Sequence, residues 1–219
     1  MEDEPIDRPR TSSRAEPRRC GEPVRAAGFT FVELMITLAL LALLVDMAAP
    51  SFANLIDDRR QTALYNRLAS DLRLARLEAI KRGGDVSVCA RAGATSCGDD
   101  WSAGWLVFTE KSAAEGGNGG VLDADERLVA SRPAATDISI VATATVRPAG
   151  AESRSFIRFD GRGRADWSAG TFVLCDARGE GEALGLVVGG AGGFRSAYEP
   201  PDGDGVVLDA RGSSVTCSS

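Results

Sequence analysis

The cysteines have the most definite chemistry in this sequence. One of the five, Cys20, precedes an apolar run at positions 29–49, and the other four follow it. If that run crosses a membrane and the C-terminal part is exported, the last four lie in an oxidising compartment and can form disulfides. Four cysteines allow three pairings. We favour one pair that closes a short loop and one that ties down the C-terminal tail: Cys89–Cys97 and Cys175–Cys217.

Other reactive groups are sparse. A zinc site is the competing interpretation of the cysteines, but no Cys-x-x-Cys pair occurs. Histidine is absent, which removes the Ser-His-Asp and Cys-His schemes and every His-ligated metal site. Two acidic groups do not follow the calcium-loop pattern, so we interpret them as acidic turns. We expect no catalytic residue, no metal site, no cofactor and no enzymatic activity. The acidic groups are Asp123, Asp125 and Glu126, and Asp202, Asp204 and Asp209.

Arginines in glycine-rich segments suggest anion binding. Arg162 and Arg164 lie in Gly-Arg-Gly-Arg at 161–164, where backbone N–H groups of a turn can hold a phosphate. The alternative, which we favour, is a hairpin turn with solvated arginines. The chain has a formal charge of −6 and a pI near 4.9. An acidic chain is a poor general polyanion binder.

An apolar helix is the first element that must position these groups. Positions 29–49 supply 21 residues, enough to cross ~30 Å of hydrocarbon as a helix. A cleaved secretory signal is the rival, with Ala-Ala-Pro-Ser-Phe-Ala at 48–53 resembling its cleavage site. Glu33 and Asp46 inside the run argue against that. Residues 1–28 are polar and form a leader without periodicity, and their arginines near the run favour a cytoplasmic location.

The helical pattern continues beyond the apolar run. Between Phe52 and Arg82 apolar residues recur at helical spacing, and Gly83-Gly84 supplies a stop signal. Asp71 and Glu78 lie within one turn of basic residues, and we expect both on a solvated face. After Gly84 come short β-like runs separated by turn residues. The candidate strands are Val86–Arg91, Trp105–Thr109, Glu126–Ala130, Ile138–Val146, Ser155–Phe159, Thr171–Cys175 and Ala183–Val188.

The junction before the apolar helix resembles the type IV pilin signature. It reads Gly28-Phe29-Thr30-Phe31-Val32-Glu33. The resemblance implies that a prepilin peptidase cuts between Gly28 and Phe29 and that the new amine of Phe29 is N-methylated. A carboxylate inside a bilayer helix costs several kcal/mol unless it is interfacial or paired. The resemblance gives Glu33 a partner, the amine of its own or a neighbouring Phe29; the alternative is an interfacial Glu33 that snorkels.

The C-terminal part resembles the GspH/FimT minor pilin domain. The segments that carry this resemblance are a Cys-loop-Cys and a Trp-x-x-x-Trp turn at 86–110, an acidic turn at 119–131, and Phe-Asp-Gly-Arg-Gly-Arg leading to Thr-Phe-Val-Leu-Cys at 156–176. The paired cysteines favour FimT-type pilus proteins over the type II secretion pseudopilin. The implied fold is α+β and pilin-like, a long N-terminal helix packed on an antiparallel β-domain. The implied boundaries are leader 1–28, transmembrane helix 29–50, amphipathic helix 51–84 and β-rich domain 85–219.

The expected function is therefore structural. The resemblance implies a minor pilin that primes or caps assembly near a pilus tip, anchored in the inner membrane with a periplasmic domain, whose partners are other pilins or pseudopilins. A type II secretion pseudopilin and a DNA-binding minor pilin for uptake are the alternatives. Some FimT relatives bind DNA through Gly-Arg-x-Arg in the tail, but here the tail has Gly-Phe-Arg at 193–195. Arg162, Arg164 and Arg195 are the candidate DNA contacts, and nucleic acid is not an expected partner.

Processing gives the first testable prediction. The mature protein should begin at Phe29, carry one methyl group on its amine, and consist of the 191 residues that remain of 219 after a cut behind position 28. Intact-mass and N-terminal analysis of the membrane-extracted protein measure both properties. Cleavage within or after the 48–53 segment would contradict the prediction, because it would remove the helix that carries Glu33.

Overall fold

The computed structural model describes residues 28–111, 120–133, 135, 137–144, 156–165, 169–197, 207–209 and 212–217. Its only α-helix in this part of the chain is α1 (Phe31–Arg82). The chain divides into two compact units, Met1–Ala48 and Ala49–Ser219. The predicted leader, 1–28, lies almost wholly outside the described residues. In the first unit the helical residues 31–48 are all exposed.

The second unit contains the C-terminal part of α1, which buries one stripe of its surface. The stripe repeats every three or four residues, as expected for one face of a helix. Its members are Gln61, Leu64, Leu68, Leu72, Ala75 and Ala79, each at most 7% exposed. The helix ends at Gly83, whose φ of 65° lies in the left-handed region that terminates helices.

Two antiparallel sheets follow the helix in the chain. The first has the order β2-β1-β3-β4, and β6 also pairs with β1. Its register pairs Val88 with Val107 on one side and with Ile157 on the other. The strands are β1 (Val86–Arg91), β2 (Cys97–Gly98), β3 (Gly104–Thr109), β4 (Leu128–Pro133) and β6 (Phe156–Phe159).

The second sheet has the order β5-β7-β8-β9. β7 is its central strand, pairing Ala142 with Phe172 on one side and Leu186 with Phe172 on the other. The strands are β5 (Ser139–Ala144), β7 (Gly170–Cys175), β8 (Leu184–Val188) and β9 (Phe194–Ser196). The seven expected strands all occur, with ends shifted by up to three residues. The two- and three-residue strands β2 and β9 were missed because segments that short carry no alternating pattern.

The main core lies between the inner stripe of α1 and both sheets. Alternate residues of each strand enter it, as the period of a strand requires. From β3 these are Trp105 and Val107, and from β7 they are Phe172 and Leu174. Trp101 meets Phe172 edge to face, with ring centroids 4.7 Å apart. Trp101 and Trp105 are therefore core residues, 3% and 1% exposed.

Each sheet has a smaller cluster on its other side, and each of these clusters contains a disulfide. On the first sheet Cys89 packs with Leu106 and Phe108, and it is bonded to Cys97. On the second sheet Cys175 packs with tail residues and is bonded to Cys217. The structure thus has both disulfides that we favoured from the sequence. Because each cluster is small, we infer that the covalent bond contributes much of what holds its loop or tail in place.

Asp71 corrects one expectation about the helix. It is only 3% exposed, not solvated. Its carboxylate accepts hydrogen bonds from Arg132 through Nε at 2.8 Å and Nη2 at 3.0 Å, and from Trp105 Nε1 at 3.0 Å. This carboxylate holds the pKa of Arg132 above its usual value. Glu78 is half-buried and pairs with Arg82 at 2.6 Å along the helix. A sequence pattern could not show that Asp71 points into the domain, because its partner Arg132 is 61 residues away in the chain.

A second charged contact fastens α1 to the end of β7. Arg178 donates to Asp58 of the helix at 2.6 Å and to Asp176 at 2.6 Å. The guanidinium lowers the pKa of Asp176, and the two carboxylates raise the pKa of Arg178. Gln61 adds a buried hydrogen bond from Nε2 to the carbonyl oxygen of Leu174, at 3.0 Å. These contacts fix the helix axially, which apolar packing alone does poorly because it is not directional.

The described part of the C-terminal tail folds back in a hairpin-like turn and is joined to the domain by a disulfide and by a hydrogen bond from the N–H of Cys217 to Glu180 Oε1 at 3.2 Å. Val215 donates its N–H to the carbonyl of Val207 at 3.0 Å, and both side chains pack with Cys175. Few apolar contacts support this segment compared with the main core. The Cys175–Cys217 bond spans 42 residues, whereas Cys89–Cys97 spans eight.

Removing the tail bridge should therefore release the tail before it unfolds the core. In residues 53–219, the variant Cys175→Ser/Cys217→Ser should lose its last ~20 residues to protease while the helix and sheets stay folded. Closure of so long a loop contributes about 2–4 kcal/mol. Limited proteolysis with mass detection, beside a thermal melt, measures both effects. The matched control is Cys89→Ser/Cys97→Ser, which should leave the tail resistant. Equal proteolysis of tail and core in the first variant would contradict the prediction.

Candidate assembly and processing site

The N-terminal end of α1 has the geometry of a capped helix. Thr30 precedes the first helical residue, and its Oγ1 accepts a hydrogen bond from the backbone N–H of Glu33 at 3.2 Å. Thr30-x-x-Glu33 has the spacing of a capping box. Sequence reasoning gave Glu33 a role only in pairing with an amine and missed Thr30. The spacing of Thr and Glu before an apolar run was the signal that could have found it.

Glu33 is thus placed where a negative charge is favourable within its own chain. The first turn of a helix carries unsatisfied N–H groups and the positive end of the macrodipole. Glu33 is the acidic residue of that turn, and its side chain is exposed. An exposed carboxylate in this position remains available to a cation from outside. The exposed position of Glu33 agrees with both sequence-based expectations, pairing with an amine and an interfacial carboxylate, and the choice between them stays a prediction.

Gly28 and Phe29 lie at the beginning of the described chain. A Cβ added at Gly28 would meet no atom within 4 Å, so the folded chain supplies no steric reason for glycine there. Phe29 is 84% exposed. Both residues are accessible, as a peptidase requires of the bond that it cuts. The helix that follows contains a segment long and apolar enough to cross a membrane, and none of that segment is buried within the structure.

Comparison with known proteins decides the family. A model described as the type II transport protein GspH matches residues 65–192, more than half of the chain. The chain belongs to the GspH family. A second model, the prokaryotic N-terminal methylation motif, matches residues 24–45. The GspH-family chain is accordingly a minor pilin or pseudopilin of the type IV pilus or type II secretion family, and that family consists of structural pilins and not of enzymes.

Among solved structures, two kinds of relative resemble the GspH-family fold. The type IV minor pilin FimU of Pseudomonas aeruginosa (strain PAO1) is 16% identical, with a TM-score of 0.45, over 66% of this chain and 91% of that chain. The minor pseudopilin EpsH of the type 2 secretion system of Vibrio cholerae is 11% identical, with a TM-score of 0.40, over 63% and 95%. Similarity this weak says nothing of what the chain binds. No curated protein matches the chain.

The Gly-Arg-Gly-Arg turn does not present an open phosphate site. Asp160 Oδ1 accepts hydrogen bonds from the backbone N–H groups of Arg162 at 2.9 Å and Arg164 at 2.8 Å. The turn already contains its own carboxylate, which occupies the amides that a phosphate would need. Gly163 has φ of 76°, which explains the glycine between the two arginines. The expected turn is therefore present, but the expectation of a hairpin was wrong, because the strands before and after it, β6 and β7, belong to different sheets and do not pair.

The structure does bring this turn close to the segment that carries Arg195. Ala165 donates its N–H to the carbonyl of Gly190 at 2.9 Å. Arg76 of the helix donates to Gly163 O at 2.9 Å and to Ala191 O at 3.4 Å, so it fastens both turns. The segments that carry Arg162 and Arg164, and Arg195, are thus closer in the fold than their separation in the sequence suggests. The two turns contact each other through backbone groups, and Asp160 belongs to the turn that carries Arg162 and Arg164.

The expected acidic turn uses its carboxylates for internal contacts. Glu126 accepts from the backbone N–H groups of Lys111 at 2.8 Å and Asp123 at 2.9 Å, while Asp125 pairs with the ammonium of Lys111 at 2.5 Å. That pairing lowers the pKa of Asp125 and raises the pKa of Lys111. These groups already have cationic or amide partners in place of a calcium ion. Asp202 and Asp204 lie outside the described residues.

The arrangement predicts weak and non-specific DNA binding. Phosphate affinity depends on several cations presented together, whereas the amides beside Arg162 and Arg164 already bind Asp160. Residues 53–219 should bind duplex DNA with a Kd of roughly 10⁻⁴ M or weaker at physiological salt. A gel-shift or calorimetric titration checks this, with Arg195→Ala and Arg162→Ala as matched variants. Low-micromolar binding abolished by either substitution would contradict the prediction and favour a DNA receptor.

Proposed function

We propose that this protein is a structural minor pilin of a type IV pilus that primes or caps filament assembly near the tip. The observation that carries the proposal is the pairing of an exposed apolar helix with a folded β-domain in one chain. An apolar segment of that length cannot remain in water, so it needs a bilayer or neighbouring helices. The domain supplies a distinct surface, which suits a specialised position in a filament.

The N-terminal anchor acts through two groups in this proposal. Prepilin peptidase cuts after Gly28, and the amine of Phe29 becomes a cation at the end of the helix. Glu33 of one subunit then pairs with the Phe29 amine of a neighbour. A carboxylate inside hydrocarbon costs several kcal/mol without a partner, so this pair sets the axial register at which subunits add. The capping contact from Thr30 keeps the first turn of the helix in place for it.

The location follows from the same elements. We infer that the protein enters the inner membrane as a single-pass precursor with its C-terminal domain in the periplasm. Basic residues before the apolar run favour a cytoplasmic N-terminus, and the two disulfides suit an oxidising compartment on the far side. Other pilins are its partners after processing.

A pseudopilin of a type II secretion machine is the second candidate. The observation that favours it is the matching family model, whose description is a type II transport protein. The two candidates share the anchor, the processing and the fold, and they differ in the filament that incorporates the subunit. Deletion of the gene separates them, because loss of surface pili indicates the first function and loss of secreted enzymes the second.

The proposal predicts a specific effect of Glu33. The variant Glu33→Leu should insert into the membrane as well as the wild type or better, because the cost of the carboxylate is removed. Its incorporation into filaments should nevertheless fall, about tenfold or more, because the Phe29 amine loses its partner. Quantitative blotting of membrane and sheared-filament fractions measures the two effects separately.

The matched control is Asp46→Leu. Asp46 is a second carboxylate of the same apolar helix, also exposed, but it lies more than three turns further along. Its replacement should improve insertion in the same way and leave incorporation unchanged. Normal amounts of the Glu33 variant in sheared filaments would refute the pairing. An equal loss with both variants would also refute it and would indicate only a general need for carboxylates in the helix.

A further inference from the structure

Between Arg59 and Arg82 no exposed residue of α1 is acidic, and the half-buried Glu78 pairs with Arg82 at 2.6 Å and with Lys81 at 4.0 Å. All residues of this stretch that are exposed are basic, small polar or apolar. The basic ones are Arg59, Arg60, Arg67, Arg73, Lys81 and Arg82. The sign of this face is opposite to that of the protein, whose formal charge is −6. Such a segregation of charge on one helix surface is uncommon in a solvated helix, where both signs alternate.

The acids of the same stretch are turned away from that face. Asp71 is buried against Arg132, and Glu78 is half-buried and pairs with Arg82. Just before the stretch, Asp58 pairs with Arg178 of the β-domain and Asp57 with Arg60. All four carboxylates therefore already have partners, so none neutralises the central arginines of the outward face.

Three arginines of the face remain without an acidic partner among the described residues. Arg59 and Arg67 have no ion pair there, and Arg73 lies over the ring of Phe194 at 5.6 Å from its centroid. Their positions along the axis are about 9–12 Å apart at the standard rise per residue. With Lys81, they form a row of cations about 33 Å long.

Aliphatic side chains lie between these cations. Leu77 is 63% exposed, and Leu74 is exposed as well. Since residues four apart lie on one side of a helix, Leu77 lies between Arg73 and Lys81 in a single row. We refer to Arg59, Arg67, Arg73, Leu74, Leu77 and Lys81 together as the cationic helix face.

This mixture indicates which kind of partner can cover the face. A lipid surface takes a wide apolar sector bordered by cations, but here the cations stand within the apolar row and would have to enter hydrocarbon. Nucleic acid would satisfy the arginines and leave the leucines exposed. A protein surface with carboxylates set among apolar side chains satisfies both.

We propose that the cationic helix face docks against an acidic, partly apolar strip of a different pilin-type subunit and rejects a second copy of this chain. Two copies facing each other through this surface would bring arginines together without a carboxylate between them, and like charges across an interface are strongly disfavoured. The neighbour at this face is therefore heterotypic. The inference rests on the proposed function, because it assumes that the chain enters a filament.

Site-specific cross-linking in the native host tests this. A photoreactive benzoylphenylalanine is placed at Ser70, an exposed helical residue between Arg67 and Leu74, in the full-length chain. We expect a cross-linked product whose second component is another pilin-type protein and whose linked peptide contains Asp or Glu. In the background Arg59→Glu/Arg67→Glu the yield should fall about tenfold or more. A carboxylate-to-lysine change in the linked peptide of the partner should then restore it.

Three comparisons make the outcome specific. Arg59→Lys/Arg67→Lys keeps the charges and should retain the product, and Arg162→Glu makes the same reversal in a turn of the β-domain and should also retain it. A non-reducing gel that shows both disulfides confirms that the charge-reversed chain is folded.

Each alternative product overturns the inference. A product of twice the mass of this chain shows self-docking, a lipid adduct shows a membrane surface, and a nuclease-sensitive adduct shows nucleic acid. A yield that is insensitive to charge reversal, or the absence of any product, shows that the cations do not select the neighbour. If the chain is present in sheared filaments in these cases, the proposed function survives and only this inference fails. If it is absent from filaments, the proposed function fails first.

Discussion

Both sheets of this protein are assembled on the inner stripe of one helix. The sheets share no strand pairing among the described residues, so they are joined by their common core on α1 and by contacts such as that between Trp101 and Phe172. Leu68 and Leu72 are completely buried at its centre, and losing either side chain would leave a cavity that costs about 2–5 kcal/mol. The way in which the strands pack on the helix also decides where the segments between them, such as the Arg-rich turn, lie on the surface.

Directional contacts complete what apolar packing leaves loose. The buried carboxylate of Asp71 accepts hydrogen bonds from Arg132 and Trp105, so removing Arg132 would leave this carboxylate without its cationic partner. Arg178 fixes the helix near its entry to the domain by contacting Asp58. Together these pairs define both the rotation and the axial position of α1.

The packing divides the helix into faces with separate tasks. The inner stripe of the helix packs into the core, and the acidic residues of the helix between 57 and 78 form ion pairs within the protein. Its outward surface keeps the arginines together with Leu74 and Leu77. The two disulfides lie on the far sides of the sheets, where they restrain a loop and the tail without contacting the core on the helix.

The sequence by itself determined the elements whose signals are local. The apolar run with Glu33, the helical spacing up to Arg82 and the β-like runs each depend on residues close in the chain, and short-range sterics and solvation decide them. Only the tertiary structure decided the long-range pairings. The local pattern predicts a solvated Asp71, but its side chain is buried, because its partner Arg132 comes from 61 residues away in the chain.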